Sequence, residues 1–131
     1  MKKNILLLAS IFLLSACSLA PPIKTGEKHL KQSKEIVAKK LYVLASKCWS
    51  RNFTLFQDQV IVENFVQLEG IVIKAHRYAP DIGNVPEHIK IIVSDSNGGS
   101  NVQILESENG GYNQTSEVKS WLAGSNSCIE E

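Results

Sequence analysis

Histidine and carboxylate side chains are the residues of this chain whose types suit metal binding or acid-base catalysis. His76 and His88 flank a segment that contains Asp81, and two histidines with a carboxylate are ligands that zinc accepts. None of the short spacings typical of zinc sites is present, and exposed histidines at strand ends are common. We therefore expect no metal and no cofactor, with a metal held by these histidines as the alternative.

A calcium loop and a serine nucleophile are two further kinds of site that we considered. Asp95, Asn97, Asn101 and Glu106 have offsets similar to those of an EF-hand loop, but Ser100 stands where that loop requires glycine. A hairpin turn therefore explains this segment better. No run of residues matches the glycine-flanked serine of hydrolases. We predict that the protein is not an enzyme.

The start of the chain has the pattern of a signal peptide. Two lysines precede an apolar run, residues 5–14, which is too short to span a bilayer because about 20 residues are needed. The run ends in Leu14, Ser15, Ala16 and Cys17, which resembles the lipobox of bacterial lipoprotein precursors. The resemblance implies cleavage before Cys17 and attachment of acyl chains such as palmitate at this cysteine. The alternative is a small buried cysteine after an ordinary cleavage site.

The same resemblance implies a location and a redox environment. Ser18 follows the anchor, whereas lipoproteins kept on the inner membrane typically carry Asp there, so we expect an outer-membrane protein that faces the periplasm. The periplasm is oxidising, and Cys48 and Cys128 are therefore expected to form a disulfide. The chain-entropy theory gives ~4 to 5 kcal/mol for a loop of that length. A catalytic thiol is the alternative, but neither cysteine has a histidine neighbour in sequence.

Charge is distributed unevenly along the mature chain. Residues 24–51 contain eight basic and two acidic residues, whereas residues 52–131 contain four basic and eleven acidic residues. The more ordinary interpretation is a solvated basic face that balances the acidic remainder, and contact with anionic lipid headgroups is the alternative. The expected location, more than the charge, argues against nucleic acid as a partner.

Periodicity then indicates which elements carry these residues. We predict a signal peptide at residues 1–16, a lipidated cysteine and tether at 17–26, and one domain at 27–131. A first helix is predicted over residues 27–49, because apolar residues recur there at steps of seven, four, three and four. These residues are Leu30, Val37, Leu41, Leu44 and Cys48.

Strands and a second helix are predicted for the rest of the domain. The strands are predicted at residues 59–65, 66–78, 88–94 and 102–107, with a turn at 63–64, a loop at 79–86 and a hairpin turn around Asn97 and Gly98. Thr115 is the predicted N-cap of the short final helix, and Gly124 is its predicted end. The predicted fold class is α+β, with an antiparallel meander of about four strands and both helices on one face.

Function is predicted by elimination. We expect a non-enzymatic, lipid-anchored domain that binds an envelope protein through a sheet edge or the loop at residues 80–86. The predicted contact residues are Phe53, Leu55, Phe56 and Asp81, although the phenylalanines equally suit a core between helix and sheet. The alternatives are a carrier of a small apolar ligand and a small envelope hydrolase that uses His76 or His88 beside a carboxylate.

Overall fold

The structure is a computed structural model that describes residues 21–50, 52–53, 58–79, 83–107 and 114–129. The predicted signal peptide, Cys17 and the start of the predicted tether lie outside these residues. Within them, no helix is long and apolar enough to cross a membrane.

The described chain forms six strands and two helices in one continuous arrangement. In chain order they are β1 (Ile23–Leu30), α1 (Lys34–Trp49), β2 (Asn52–Phe53), β3 (Asp58–Gln67), β4 (Gly70–Ala79), β5 (Gly83–Ser96), β6 (Gly99–Glu106) and α2 (Gln114–Leu122). The strands form one sheet in the order β1-β6-β5-β4-β3-β2, and every neighbouring pair is antiparallel. The α+β fold class is therefore confirmed.

Both helices pack on the same face of the sheet, as predicted. Alternating strand residues face the helices, because side chains of a strand point to opposite sides in turn. The buried core combines apolar residues from both layers, among them Leu41, Trp121, Ile73, Ile89, Ile91 and Ile104. Burial of these large side chains, at about 1.5–3 kcal/mol each, is the main source of stability.

The predicted helix over residues 27–49 begins too early. Residues 23–30 form β1, which pairs with β6 from Ile23 opposite Glu106 to Leu30 opposite Ser100. The helical stripe is confirmed from Val37 to Cys48, but Leu30 belongs to the strand and packs against the core from there. The predicted tether is likewise shorter, since Ile23 to Gly26 already belong to the sheet.

The first turn of the meander lies further along the chain than residues 63–64. Those residues are in the middle of β3, and the turn between β3 and β4 is at Leu68 and Glu69. Gly70 follows this turn with φ +140°, and an added Cβ there would collide with the carbonyl oxygen of Val93. Only glycine accommodates this backbone without strain, because it has no Cβ.

The later elements agree more closely with the sequence. The β5–β6 hairpin turns through Asn97 and Gly98, and Gly98 adopts the φ of +78° that such a short turn favours. The predicted loop at 79–86 is shorter, because Ala79 belongs to β4 and Gly83 begins β5. Helix α2 is confirmed, but Thr115 lies inside its first turn rather than at its N-cap.

Candidate functional site

The helices cover one face of the sheet, so candidate binding surfaces are its two edges and the opposite face. At one edge, β1 carries several devices that natural proteins use against unwanted strand pairing. Its register with β6 shifts between Lys24 and Gly26, and Lys24, Glu27 and Lys28 place charges along it. This edge is therefore poorly suited to a second strand.

The opposite edge consists of the two-residue β2 and, past it, the longer β3, which has the reverse character. β3 pairs with β4 from Gln59 opposite Tyr78 to Gln67 opposite Gly70 without a register shift. On its outer side, the described partners are the two residues of β2, opposite Asp58 and Gln59. Between residues 60 and 67 the one charged side chain is Glu63. We call residues 60–67 the open edge, because no described strand pairs with its outer side.

Two apolar side chains at the end of the open edge face solvent. Val66 is 82% exposed, and Leu68, in the turn that follows, is fully exposed. Single exposed apolar residues are ordinary, but here they continue a regular, nearly uncharged strand. The combination is what an added strand requires, since backbone groups supply hydrogen bonds and apolar neighbours supply contact area.

The helix-free face of the sheet carries paired charges. Lys74 pairs with Glu87 and lies over the ring of Phe65, with Nζ 5.0 Å from the ring centroid. Lys90 Nζ lies 3.4 Å from Glu69 Oε1. The pKa of Glu69 is below its usual value, mainly because its own backbone N–H donates to the carboxylate, with Lys90 adding to this effect. Since the charges compensate one another, this face has no strong preference for an ion.

The two histidines that were the alternative metal ligands lie in different settings. His76 Nδ1 lies 3.8 Å from Glu63 Oε2, whereas the Nδ1 atom of His88 is buried without a described hydrogen-bond partner. Asp81 lies outside the described residues. Across the described ranges, the one cluster of three metal-ligating residues is Cys48, Glu117 and Cys128.

The two cysteines of that cluster form the predicted disulfide, with Cα atoms 5.3 Å apart. Trp49 and Trp121 pack against each other in the same buried cluster, with ring centroids 5.2 Å apart. The Trp121 indole N–H donates to the carbonyl of Ser127 at 2.9 Å and so fixes the tail that carries Cys128. This cluster joins the ends of both helices and is structural.

Glu117 is a residue whose importance the sequence did not reveal. Its Oε2 accepts the indole N–H of Trp49 at 2.8 Å, and its Oε1 accepts the backbone N–H of Ile129 at 2.9 Å. It lies in the first turn of α2. Tertiary contacts across 68 residues of chain carry its role, and no local pattern signals them.

One of the four predicted contact residues lies within the described part of the chain. Phe53 lies in β2, where the backbone is described, and Leu55, Phe56 and Asp81 lie outside the described residues. The nearly uncharged run at residues 60–67 is visible in the sequence, but its place at an edge of the sheet is not. Comparison with known proteins finds no matching family, no matching curated protein and no matching solved structure.

Proposed function

We propose that this protein is a lipid-anchored envelope lipoprotein whose domain binds a partner protein by accepting an extended segment at the open edge of β3. The carrying observation is the contrast between the two edges of the sheet. β1 is bulged and charged, whereas residues 60–67 are regular, nearly uncharged and bordered by the exposed Val66 and Leu68. The proposal is a binding role rather than catalysis, and it involves no nucleic acid.

Membrane attachment is the second part of this proposal. The lipobox-like sequence that ends in Cys17 supports diacylglycerol and acyl chains at this cysteine, and Ser18 supports the periplasmic side of the outer membrane. Several acyl chains together give an effectively permanent anchor, because each buried methylene contributes about 0.8 kcal/mol. Replacing Cys17 by Ser is expected to leave the precursor uncut and unacylated, as measured by the mass of the purified chain.

Strand addition places the partner beside the sheet rather than inside the domain. Side chains from both layers fill the described interface between helices and sheet, with Leu41, Ile73 and Trp121 almost completely buried. The described residues therefore favour binding at the surface over a ligand held between the helices and the sheet. A strand added to β3 would extend the sheet by one member, with hydrogen bonds from the backbone and selectivity from alternate side chains.

Photocrosslinking in intact cells tests the proposed edge. A photoreactive residue in place of Gln67, at the end of the open edge, is expected to give one dominant protein adduct. The same residue in place of Lys31, in the exposed turn after β1, is the matched control and is expected to give none. An equal yield at both positions, or no protein adduct at position 67, would contradict the proposal.

A charge added to the open edge provides the decisive variant. V66K places a lysine on the edge at an exposed site, where effects on folding are within about 0.5 kcal/mol, and lysine is a natural device against strand pairing. We expect V66K to remove the adduct at position 67. I23K likewise introduces a lysine, at a position of β1 where the isoleucine is 62% exposed. This variant is expected to retain the adduct.

A further inference from the structure

The outward surface of α1 has a composition that the packing of the domain does not explain. Ile36, Lys39, Val43 and Lys47 follow one another at steps of three, four and four, so they form one stripe along the helix. All four are exposed, Ile36 by 58% and Val43 by 55%. The buried residues of the helix lie on its other side, from Val37 to Trp49. We call these four residues the outer stripe.

Several lysines of the basic N-terminal half have partners within the domain. Lys24 pairs with Glu27, and Lys34 pairs with Asp95. Lys28 and Lys40 donate to the carbonyls of Leu122 and Trp121, at the C-terminal end of α2. Positive charge there is favourable because that end of a helix carries partial negative charge. These four lysines have structural roles.

Lys39 and Lys47 differ from them in environment. Neither makes a hydrogen bond or an ion pair with another described residue. Both flank the exposed Val43, and the acid nearest the stripe on this helix is Glu35. On an anionic membrane the ammonium groups of such lysines can meet headgroups, while their stems and the neighbouring apolar side chains enter the interface.

The length of chain before β1 supplies the second argument. Ile23 lies six residues after Cys17, and six extended residues span at most about 20 Å. The tether therefore keeps the sheet, and with it the layer of helices about 10 Å wide that packs on one face, close to the bilayer that holds the lipid. Such a tether makes docking an intramolecular step, so weak attraction between a few lysines and anionic headgroups is then sufficient to orient the domain.

We propose that the outer stripe of α1 lies on the anionic surface of the membrane to which the protein is anchored. This inference rests on the proposed lipid at Cys17 and goes beyond it, because it assigns which side of the domain faces the bilayer. The open edge of β3 is then available to a partner in the periplasm while the helix layer lies against the headgroups.

Fluorescence quenching on the mature lipidated protein tests the orientation. V43C provides a thiol in the outer stripe for a fluorescent label, and L68C provides the matched control in the exposed β3–β4 turn. The labelled proteins are placed in vesicles of phosphatidylcholine or of an equimolar mixture with phosphatidylglycerol, both containing lipids with a nitroxide headgroup. We expect strong quenching at position 43 with phosphatidylglycerol and little at position 68.

Charge reversal identifies the cause of that quenching. K39E/K47E, combined with V43C, is expected to lower the quenching at position 43 to the level at position 68, while the protein still floats with the vesicles. K31E reverses an exposed lysine outside the stripe and is expected to retain most of the quenching. Added salt is expected to act like K39E/K47E, because ions screen exposed charges over about 10 Å.

The outcomes separate this inference from the proposals before it. A protein that floats with the vesicles but shows equal quenching at positions 43 and 68 would overturn the orientation and leave the anchor intact. Quenching that does not depend on phosphatidylglycerol or on Lys39 and Lys47 would overturn it as well. A chain that does not float has no anchor, and the adduct at position 67 tests strand addition independently of either result.

Discussion

Glu117 is a buried carboxylate held between two donors, the indole of Trp49 and the backbone N–H of Ile129. It thereby joins the last turn of α1 to the tail that carries Cys128. Buried polar groups are nearly always hydrogen-bonded, so residue 117 must offer two acceptor atoms, one for each donor. No local sequence pattern reveals these two donors, because they meet Glu117 only through tertiary packing.

Replacing Glu117 by Gln is expected to destabilise the protein by about 1–3 kcal/mol, because an amide NH2 would then face one of the two donors. The free energy of unfolding, measured by urea denaturation of the oxidised protein, checks this. Glu35→Gln is the control, because Glu35 lies exposed on α1 and its change is expected to have little effect. Equal effects at the two positions would show that the buried hydrogen bonds contribute nothing.

Glu27 on β1 gives a prediction about pH. A hydrogen bond from Lys24, with further bonds from Asn101 and Gln103, lowers the pKa of Glu27 from 4.5 to about 2. A lowered pKa means that this carboxylate favours the folded state above pH 4.5 and loses that contribution as the pH falls toward 2.

Lys24→Met is therefore expected to raise the pKa of Glu27 toward 4.5, because the principal donor is removed. The chemical shift of the Glu27 carboxyl carbon, followed through a pH titration by NMR, measures it. Lys31→Met removes an exposed lysine that makes no described bond to Glu27, and it is expected to leave the titration unchanged. A normal pKa in the unsubstituted protein would contradict the hydrogen-bond geometry.

Helices and strands could be predicted where their own residues show a local sequence pattern. The stripe from Val37 to Cys48 and the Asn97–Gly98 hairpin are strong local signals, and both appear in the structure. β1 is rich in lysine and contains glycine, so its sequence does not favour a strand, and pairing with β6 decides its conformation. The contrast between β1 and the open edge is likewise a property of sheet order, which no local pattern contains.

The two hairpin glycines permit a matched test of turn chemistry. Both have positive φ, but an added Cβ at Gly70 would strike the Val93 backbone, whereas at Gly98 no atom lies within 4 Å. We expect Gly98→Ala to cost about 1 kcal/mol for the left-handed backbone alone. Gly70→Ala is expected to cost about 2–3 kcal/mol, because collision adds to strain. Thermal or urea unfolding measures both, and equal losses would contradict the close approach.

At the scale of the whole molecule, the disulfide closes most of the domain into one loop. Cys48 and Cys128 are 80 residues apart, and the bridge connects the end of α1 with the tail after α2. The pairing was predictable because the chain after Cys17 contains two cysteines, and the lipobox-like sequence led us to expect an oxidising compartment. The surrounding cluster of Trp49, Trp121 and Glu117 was only partly predictable, because its members meet through tertiary packing.

Removing the bridge is expected to lower stability by ~4 to 5 kcal/mol, the entropy that a loop of this length loses in the unfolded chain. C48A/C128A is the variant, and urea unfolding is the measurement. A thiol reductant is expected to destabilise the unsubstituted protein to a similar extent and to leave C48A/C128A unaffected. If both proteins respond equally to the reductant, the bridge has no role in stability.

The position of β1 in the sheet also orders the events of folding. β1 is the first strand in the chain, yet its partner is β6, so Ile23 meets Glu106 only after almost the whole domain has been synthesised. Long-range pairing of this kind slows folding, because the chain loses the entropy of closing a large loop before the stabilising contacts form. Strands β3 to β6 can pair with close neighbours in sequence at once. We therefore expect β1, the first strand of the domain to be synthesised and the one next to the proposed membrane anchor, to join the sheet last.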